Sequence, residues 1–246
     1  MRNYMKADLS RIFKRVPRII TMLFLLAIDV VVFWNGKKST NTGVDIANVL
    51  TTILKWLPTV IGFIEIGYVF GDDFKGKTAQ IAIGIGVSRR AVVICKWLEM
   101  IILGAIDTLV IIIAAVLTTS LTGVPIPSEM AGEVTICGVM AVLSVAGYTA
   151  MVLPVFFMAQ GVALGNLVYL LLSTQLFMKL IGYIGSIQKI AWMHLSNYTL
   201  SNCLNVLRSR LILGSLHYES LLGIAVYIVL YLIVTVRLYR KLELEF

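Results

Sequence analysis

Residues 71–78 read GDDFKGKT and fit G-x-x-x-x-G-K-[ST], the pattern of a loop whose backbone amides cradle nucleotide phosphates while a lysine reaches the outer ones. That chemistry needs a buried strand before the loop, a helix after it and an α/β domain around both. Here the preceding run, IGFIEIGYVF, reads as the end of an apolar span, and the next apolar run starts soon after. The interval is too short for a nucleotide-binding domain. Asp72 and Asp73 would also sit where phosphates belong. The residues read more simply as a turn with helix-capping aspartates. Four further charges interrupt otherwise apolar runs: Asp29, Glu65, Asp107 and Lys179. Charges at such depth are costly and point to function or to pairing. One expectation is that Lys179 pairs with Asp29 or with Asp107. The other is that Glu65 or Asp107 lines a pathway for a cationic or amphipathic cargo. No Ser-His-Asp set, HExxH helix or paired carboxylates appear, and the three cysteines and two histidines form no metal pattern. No catalytic or metal-ligating residue is therefore assigned.

The elements that must position these charges are set by composition. Of 246 residues, 59% are hydrophobic and only 14% charged, with a mean hydropathy of +0.92. A soluble domain carries about a quarter charged residues, so the expectation is an all-α polytopic membrane protein. Six apolar stretches are read as spans: 19–34, 49–70, 91–121, 134–158, 162–187 and 221–238. The third is long for one crossing, and its first turns, with Lys96 and Glu99, are expected to project into water. The first is read as a retained span, since FWNG is not a small-residue cleavage site.

The net charge of +8 is distributed by side. Residues 1–18, 71–96 and the C-terminal tail carry 14 Lys and Arg, and the alternate loops carry six. Basic loops stay in the cytoplasm, so both termini are expected inside. The charge is then a topology signal, and no nucleic-acid partner is called for.

Between the second and third spans the sequence predicts a short helix, about 74–83, capped by the turn at Gly71–Asp73 and broken by Gly84 and Gly86, with Phe74, Ile81 and Ile83 as apolar contacts. Ser88 is the expected cap of the third span. Upstream, Tyr4, Leu9, Ile12 and Phe13 share one helical face and Arg2, Lys6, Arg11 and Arg15 another, a pattern suited to a membrane interface, with Pro17 separating it from the first span. Leu204, Leu207, Leu211 and Ile212 predict an amphipathic helix at the outer surface within 188–220. Gly161, Gly165 and Gly182 mark one side of the fifth span as a candidate contact with a second copy.

This layout resembles the membrane subunits of ABC-2-type exporters, most closely those encoded with bacitracin and lantibiotic self-protection systems of Gram-positive bacteria. The matching residues are Gly71, Asp72, Asp73, Phe74, Lys77 and Thr78, then Gly86, Val87, Ser88 and Arg89. The likeness spans the whole chain in layout and one short stretch in motif. It implies a single membrane domain over 1–246 in a bacterial cell membrane, with an interface helix at 1–17, a coupling loop at 71–90 and an outer loop at 188–220. It implies that Asp72, Asp73, Phe74, Lys77, Thr78 and Ile81 dock on a separate ATPase subunit, with Ser88 and Arg89 closing the loop. ATP and magnesium would be held by that subunit and no cofactor by this chain. A second permease, identical or related, would complete the unit, with membrane lipid around it, and the cargo would be an antimicrobial peptide or other amphipath. A transporter driven by an ion gradient through Asp107 and Glu65 is the alternative, against which stands the lack of an inverted repeat.

Overall fold

The computed structural model describes residues 2–38, 43–76, 78–123, 126–176, 183 and 198–241. All regular structure among them is helical. The helices are α1 (Arg2–Phe13), α2 (Val16–Lys38), α3 (Gly43–Lys75), α4 (Thr78–Gly84), α5 (Arg89–Thr122), α6 (Ser128–Ala159), α7 (Val162–Ser173), α8 (Leu200–Ile212) and α9 (Tyr218–Lys241). Four are long and apolar enough to cross a membrane, at Gly43–Gly71, Arg89–Leu121, Ser128–Ala159 and Tyr218–Lys241. They coincide with the second, third, fourth and sixth predicted spans. The first and fifth coincide, as far as described, with the shorter apolar helices Val16–Ala27 and Val162–Ser173.

The chain breaks where elementary chemistry says it must. Pro17 falls in the first turn of α2, where its missing N–H is no loss, and the break itself lies just before it at Lys14–Arg15. The Ser88 side chain accepts from the Ala91 amide and caps α5, as its position predicts. Gly86 has φ +104°, a conformation that favours glycine, and the amides of Gly86 and Val87 return to the Ile83 and Ala82 carbonyls at 3.0 Å each. Pro58 and Pro154 lie inside α3 and α6, and both helices continue through them.

Helix α6 is the centre of the bundle, packing against α3, α5, α7, α8 and α9. One apolar cluster, near the ends of α3, α6 and α9 and the start of α5, includes Phe70, Phe156, Phe157, Tyr239 and Val92; Phe70 stacks on Phe156 with centroids 4.5 Å apart. A second fills the opposite half with Leu25, Leu50, Leu54, Ile111, Val134 and Cys137. Outward-facing Leu222, Val226, Val229 and Ile233 of α9 are exposed apolar residues, as a lipid-facing helix requires.

The predicted amphipathic helix is present as α8, and its apolar face packs into the bundle. Its Leu200 side chain meets Gly147 midway along α6, Leu204 and Leu207 are buried with it, and Cys203 lies against Gly223 of α9. Ser209, Arg210 and Ile212, at its far end, are exposed. Gly165 likewise faces inward: a Cβ there would lie 1.9 Å from the Phe156 ring, so the glycine serves the α6–α7 contact within the chain. Gly62 makes the matching accommodation on α3, where an added Cβ would meet the Tyr169 hydroxyl at 2.0 Å, the same hydroxyl that donates to the Pro58 carbonyl at 2.7 Å. Gly62→Ala and Gly165→Ala are each expected to destabilise by about 1–3 kcal/mol through overpacking. Gly67→Ala, with open space around it, is expected to be neutral or to stabilise by up to about 1 kcal/mol. Thermal melts of the detergent-purified chain separate the two cases.

Candidate functional site

The GDDFKGKT residues do not form a phosphate loop. Helix α3 runs on through Gly71–Lys75, there is no strand before it among the described residues, and the predicted turn at Gly71–Asp73 is absent. Helix α3 ends at Lys75 instead, and the short helix starts at Thr78. The reason lies in Asp73. Its carboxylate accepts from the Thr78 hydroxyl and binds the Lys96 ammonium at 2.6 Å, so it closes the α3–α4 corner from the last turn of α3.

Lys96 is the hub of this corner. It is fully buried on α5, and its ammonium meets Asp8 of α1, Asp73 of α3 and Glu99 one turn along α5 at 3.2 Å, while also donating to the Val69 carbonyl at 3.0 Å. Arg11 bridges the rim, bound to Asp8 and 3.8 Å from Asp73. The expectation that Lys96 and Glu99 project into water is overturned, because both have no exposed surface. Charges so placed persist only when paired and hydrogen-bonded, and here Asp8 and Asp73 from two other helices satisfy the ammonium, while neither Glu99 oxygen has a hydrogen-bond partner among the described residues.

The charges of α1 titrate accordingly. Burial alone would raise the Asp8 carboxyl, but the Lys96 ammonium and Arg11 guanidinium outweigh it and hold the group below its ordinary 3.8. Burial pushes the neighbouring Tyr4 hydroxyl well above 10.0 despite the pull of Lys96. A carboxyl depressed on folding contributes stability that is complete above its unfolded value and is lost as pH falls through the folded one. The stability advantage of the native chain over Asp8→Asn is therefore expected to hold at neutral pH and to shrink below pH 3.8. Melts of both proteins across that range check the sign; a gap that widens on acidification would contradict it.

A second buried ion group lies deeper. Arg18 of α2, Asp107 of α5 and Glu65 of α3 are all fully buried. The Arg18 fork binds Asp107 in a bidentate pair, one arm at 2.8 Å, and lies 3.7 Å from Glu65. Neither Glu65 oxygen has a hydrogen-bond partner among the described residues. Arg18, counted from sequence as a topology charge outside the first span, is the partner of Asp107, while the expected pairing of Lys179 with Asp29 or Asp107 falls outside the described residues. Since Glu65 and Asp107 have no exposed surface, neither lines an open path in this conformation.

Of the predicted docking residues, Asp73 is 6% exposed and turned inward, with Thr78 bound to it. Ile81 is 56% exposed on α4, whereas Ala79 and Ala82 are buried and Ile83 packs on the core. Ile85, which the sequence reading left between two glycines as part of a breaker, is 81% exposed beside Ile81's helix. Arg89 grips the end of α9, donating to the carbonyls of Tyr239 at 2.7 Å and Arg240 at 3.1 Å, with its guanidinium 5.7 Å from the centroid of the Tyr239 ring. Lys77 and Lys179 lie outside the described residues, as do the side chains of Asp29, Asp72 and Phe74.

These contacts gather α1, the end of α3, α4, the start of α5 and the end of α9 at one end of the bundle, which is also the end richest in Lys and Arg. Among the described residues the arrangement holds no poised nucleophile or acid–base pair; the Lys96 ammonium is engaged by Asp8 and Asp73. What it offers is a rigid linkage, from α4 through Thr78 and Asp73 to Lys96 and on to α1 and α5. The class so defined is a multi-pass helical membrane protein. Compared with protein-family models and with curated proteins, the chain matches none.

Proposed function

We infer that the chain is the membrane subunit of an ATP-driven exporter of ABC-2 type, with α4 as the element that receives motion from a separate ATPase. The observation that carries this reading is the build of α4. It is a short helix set between two membrane-length helices, braced beneath by the Asp73–Lys96–Asp8 network, with Ile81 and Ile85 left bare above. A helix pinned on one side and apolar on the other suits insertion into a groove on a partner. Six spans, cytoplasmic termini and a bacterial cell membrane complete the reading, the orientation resting on the basic residues gathered at the α4 end.

In this scheme the ATPase holds ATP and magnesium, and its closure pushes on Ile81 and Ile85. The Thr78–Asp73–Lys96 linkage carries the displacement into α5 and α1, and Arg89 carries it to α9. A second permease, identical or related, supplies the other half of the pathway. Antimicrobial peptides and other amphipaths are the cargo class. The ion-coupled alternative keeps one supporting observation: neither Glu65 oxygen has a hydrogen-bond partner among the described residues, whereas Asp107 is already engaged by Arg18.

Co-purification from native membranes tests the reading. A soluble subunit with its own phosphate loop is expected to accompany the tagged chain and to be lost with Ile81→Asp or Ile85→Asp, while the amount of chain in the membrane stays the same. Recovery of the same proteins with both variants would remove α4 from the interface.

A further inference from the structure

Between α3, α6, α7 and α8 lies a cavity of about 50 Å³ lined by Lys55 and Arg208 together with Thr59, Ser144, Gln175 and Asn205. Leu54, Met140 and Leu204 form its apolar part. No carboxylate is among its described lining residues. The sequence explains why: from Val134 to Tyr218, a stretch that includes most of α6 and all of α7 and α8, there is no Asp or Glu at all. The nearest acid on α6 is Glu133, one turn before the lining residue Cys137.

Two cations from different helices converging on one cavity repel each other, and an anion between them removes that repulsion. Arg208 donates to the Asn205 side-chain oxygen at 3.2 Å, which orients the fork beside the cavity. The exposed Lys55 brings the site to the molecular surface. A guanidinium fork, an ammonium, hydroxyls and amides around a small volume match a tetrahedral oxyanion. The volume admits a few water molecules or one small anionic group and excludes a whole amphipath. Trp56, Val60 and Val139, each next in sequence to a lining residue, are exposed and apolar, so attached chains would meet apolar surface beside the site.

We propose that this cavity binds a phosphate-bearing headgroup, with the hydrocarbon of the same molecule left in the bilayer. The site does not depend on the transport reading: it would act equally as a lipid anchor or as a docking point for a phosphorylated amphipath.

The test uses the full-length chain in detergent, stripped of lipid, with phosphatidylglycerol, diacylglycerol of the same chains and sodium phosphate as probes. Native mass spectrometry counts adducts, and thermal melts measure protection. Phosphatidylglycerol is expected to form a one-to-one adduct and raise the melting temperature, and diacylglycerol to do neither. Lys55→Gln and Arg208→Gln are each expected to weaken the adduct about tenfold, the loss of one charge-assisted contact. Arg210→Gln, exposed and outside the lining, serves as control and should bind as the native chain does. Protection by sodium phosphate equal to that by phosphatidylglycerol would assign the site to free phosphate and overturn the lipid source. Undiminished binding in Lys55→Gln, which sits on the surface and should not perturb folding, or equal protection by diacylglycerol, would overturn the site itself.

Discussion

Lys96→Met is expected to lower stability by about 3–5 kcal/mol, because it leaves Asp8, Asp73 and Glu99 facing one another in a buried space with no ammonium between them. For a chain of this size that corresponds to a fall of roughly 6–20 °C in melting temperature. Lys14→Met, on the exposed side of the α1–α2 break, is the matched control and should shift the melt by little. The loss should also be structured. Asp73 closes the α3–α4 corner through Thr78, so α4 should loosen first, visible as faster amide exchange at Ala79–Ile83. Adding Asp73→Asn to Lys96→Met should recover part of the stability by removing one stranded carboxylate while leaving an oxygen to accept from Thr78. A Lys96→Met protein that melts like the native one would show that the three acids do not depend on this ammonium.

Arg18→Met is the second large effect. Asp107 loses its bidentate partner and Glu65 its only nearby described cation, both at zero exposure, for an expected cost of about 3–5 kcal/mol. The informative comparison is the triple variant Arg18→Met/Asp107→Asn/Glu65→Gln, in which no buried charge is stranded. Replacing a whole buried ion group by neutral residues is often close to neutral, so most of the stability should return. If the triple variant also retains transport, the group is structural. If it folds and fails to transport, the charges have a role in the transport cycle. A single Arg18→Met chain as stable and as abundant as the native one would contradict the packing described here.

The helical class was legible because a lipid-facing chain writes its environment into composition, and α3, α5, α6 and α9 coincide with apolar runs that are visible by eye. The Ser88 cap and the break before Pro17 were legible because both are local. The ion groups were not. Lys96 and Asp8 are 88 residues apart, and Arg18 and Asp107 are 89 apart, so no spacing rule connects them. Hydropathy assigns Arg18, Lys96 and Glu99 to water because it scores each charge alone, whereas in the fold Arg18 and Lys96 are paired with acids from other helices and Glu99 lies beside Lys96 one turn along α5. The same blindness placed the turn at Gly71, two residues before the aspartate that binds Lys96 and Thr78 from within α3, which runs on to Lys75. Ile85 was hidden by its glycine neighbours, since a residue within a helix breaker gives no periodic signal; only the surface reveals that it stands clear beside Ile81.

The most direct measurement of the central claim is cross-linking from Ile85→Cys in native membranes, using a short bifunctional thiol reagent. Its 81% exposure makes that position reachable without disturbing the core. The account predicts one dominant adduct, to a soluble protein carrying its own nucleotide-binding loop, with a yield that changes when ATP is added. Adducts only to lipid or to a second copy of this chain, unaffected by ATP, would contradict it.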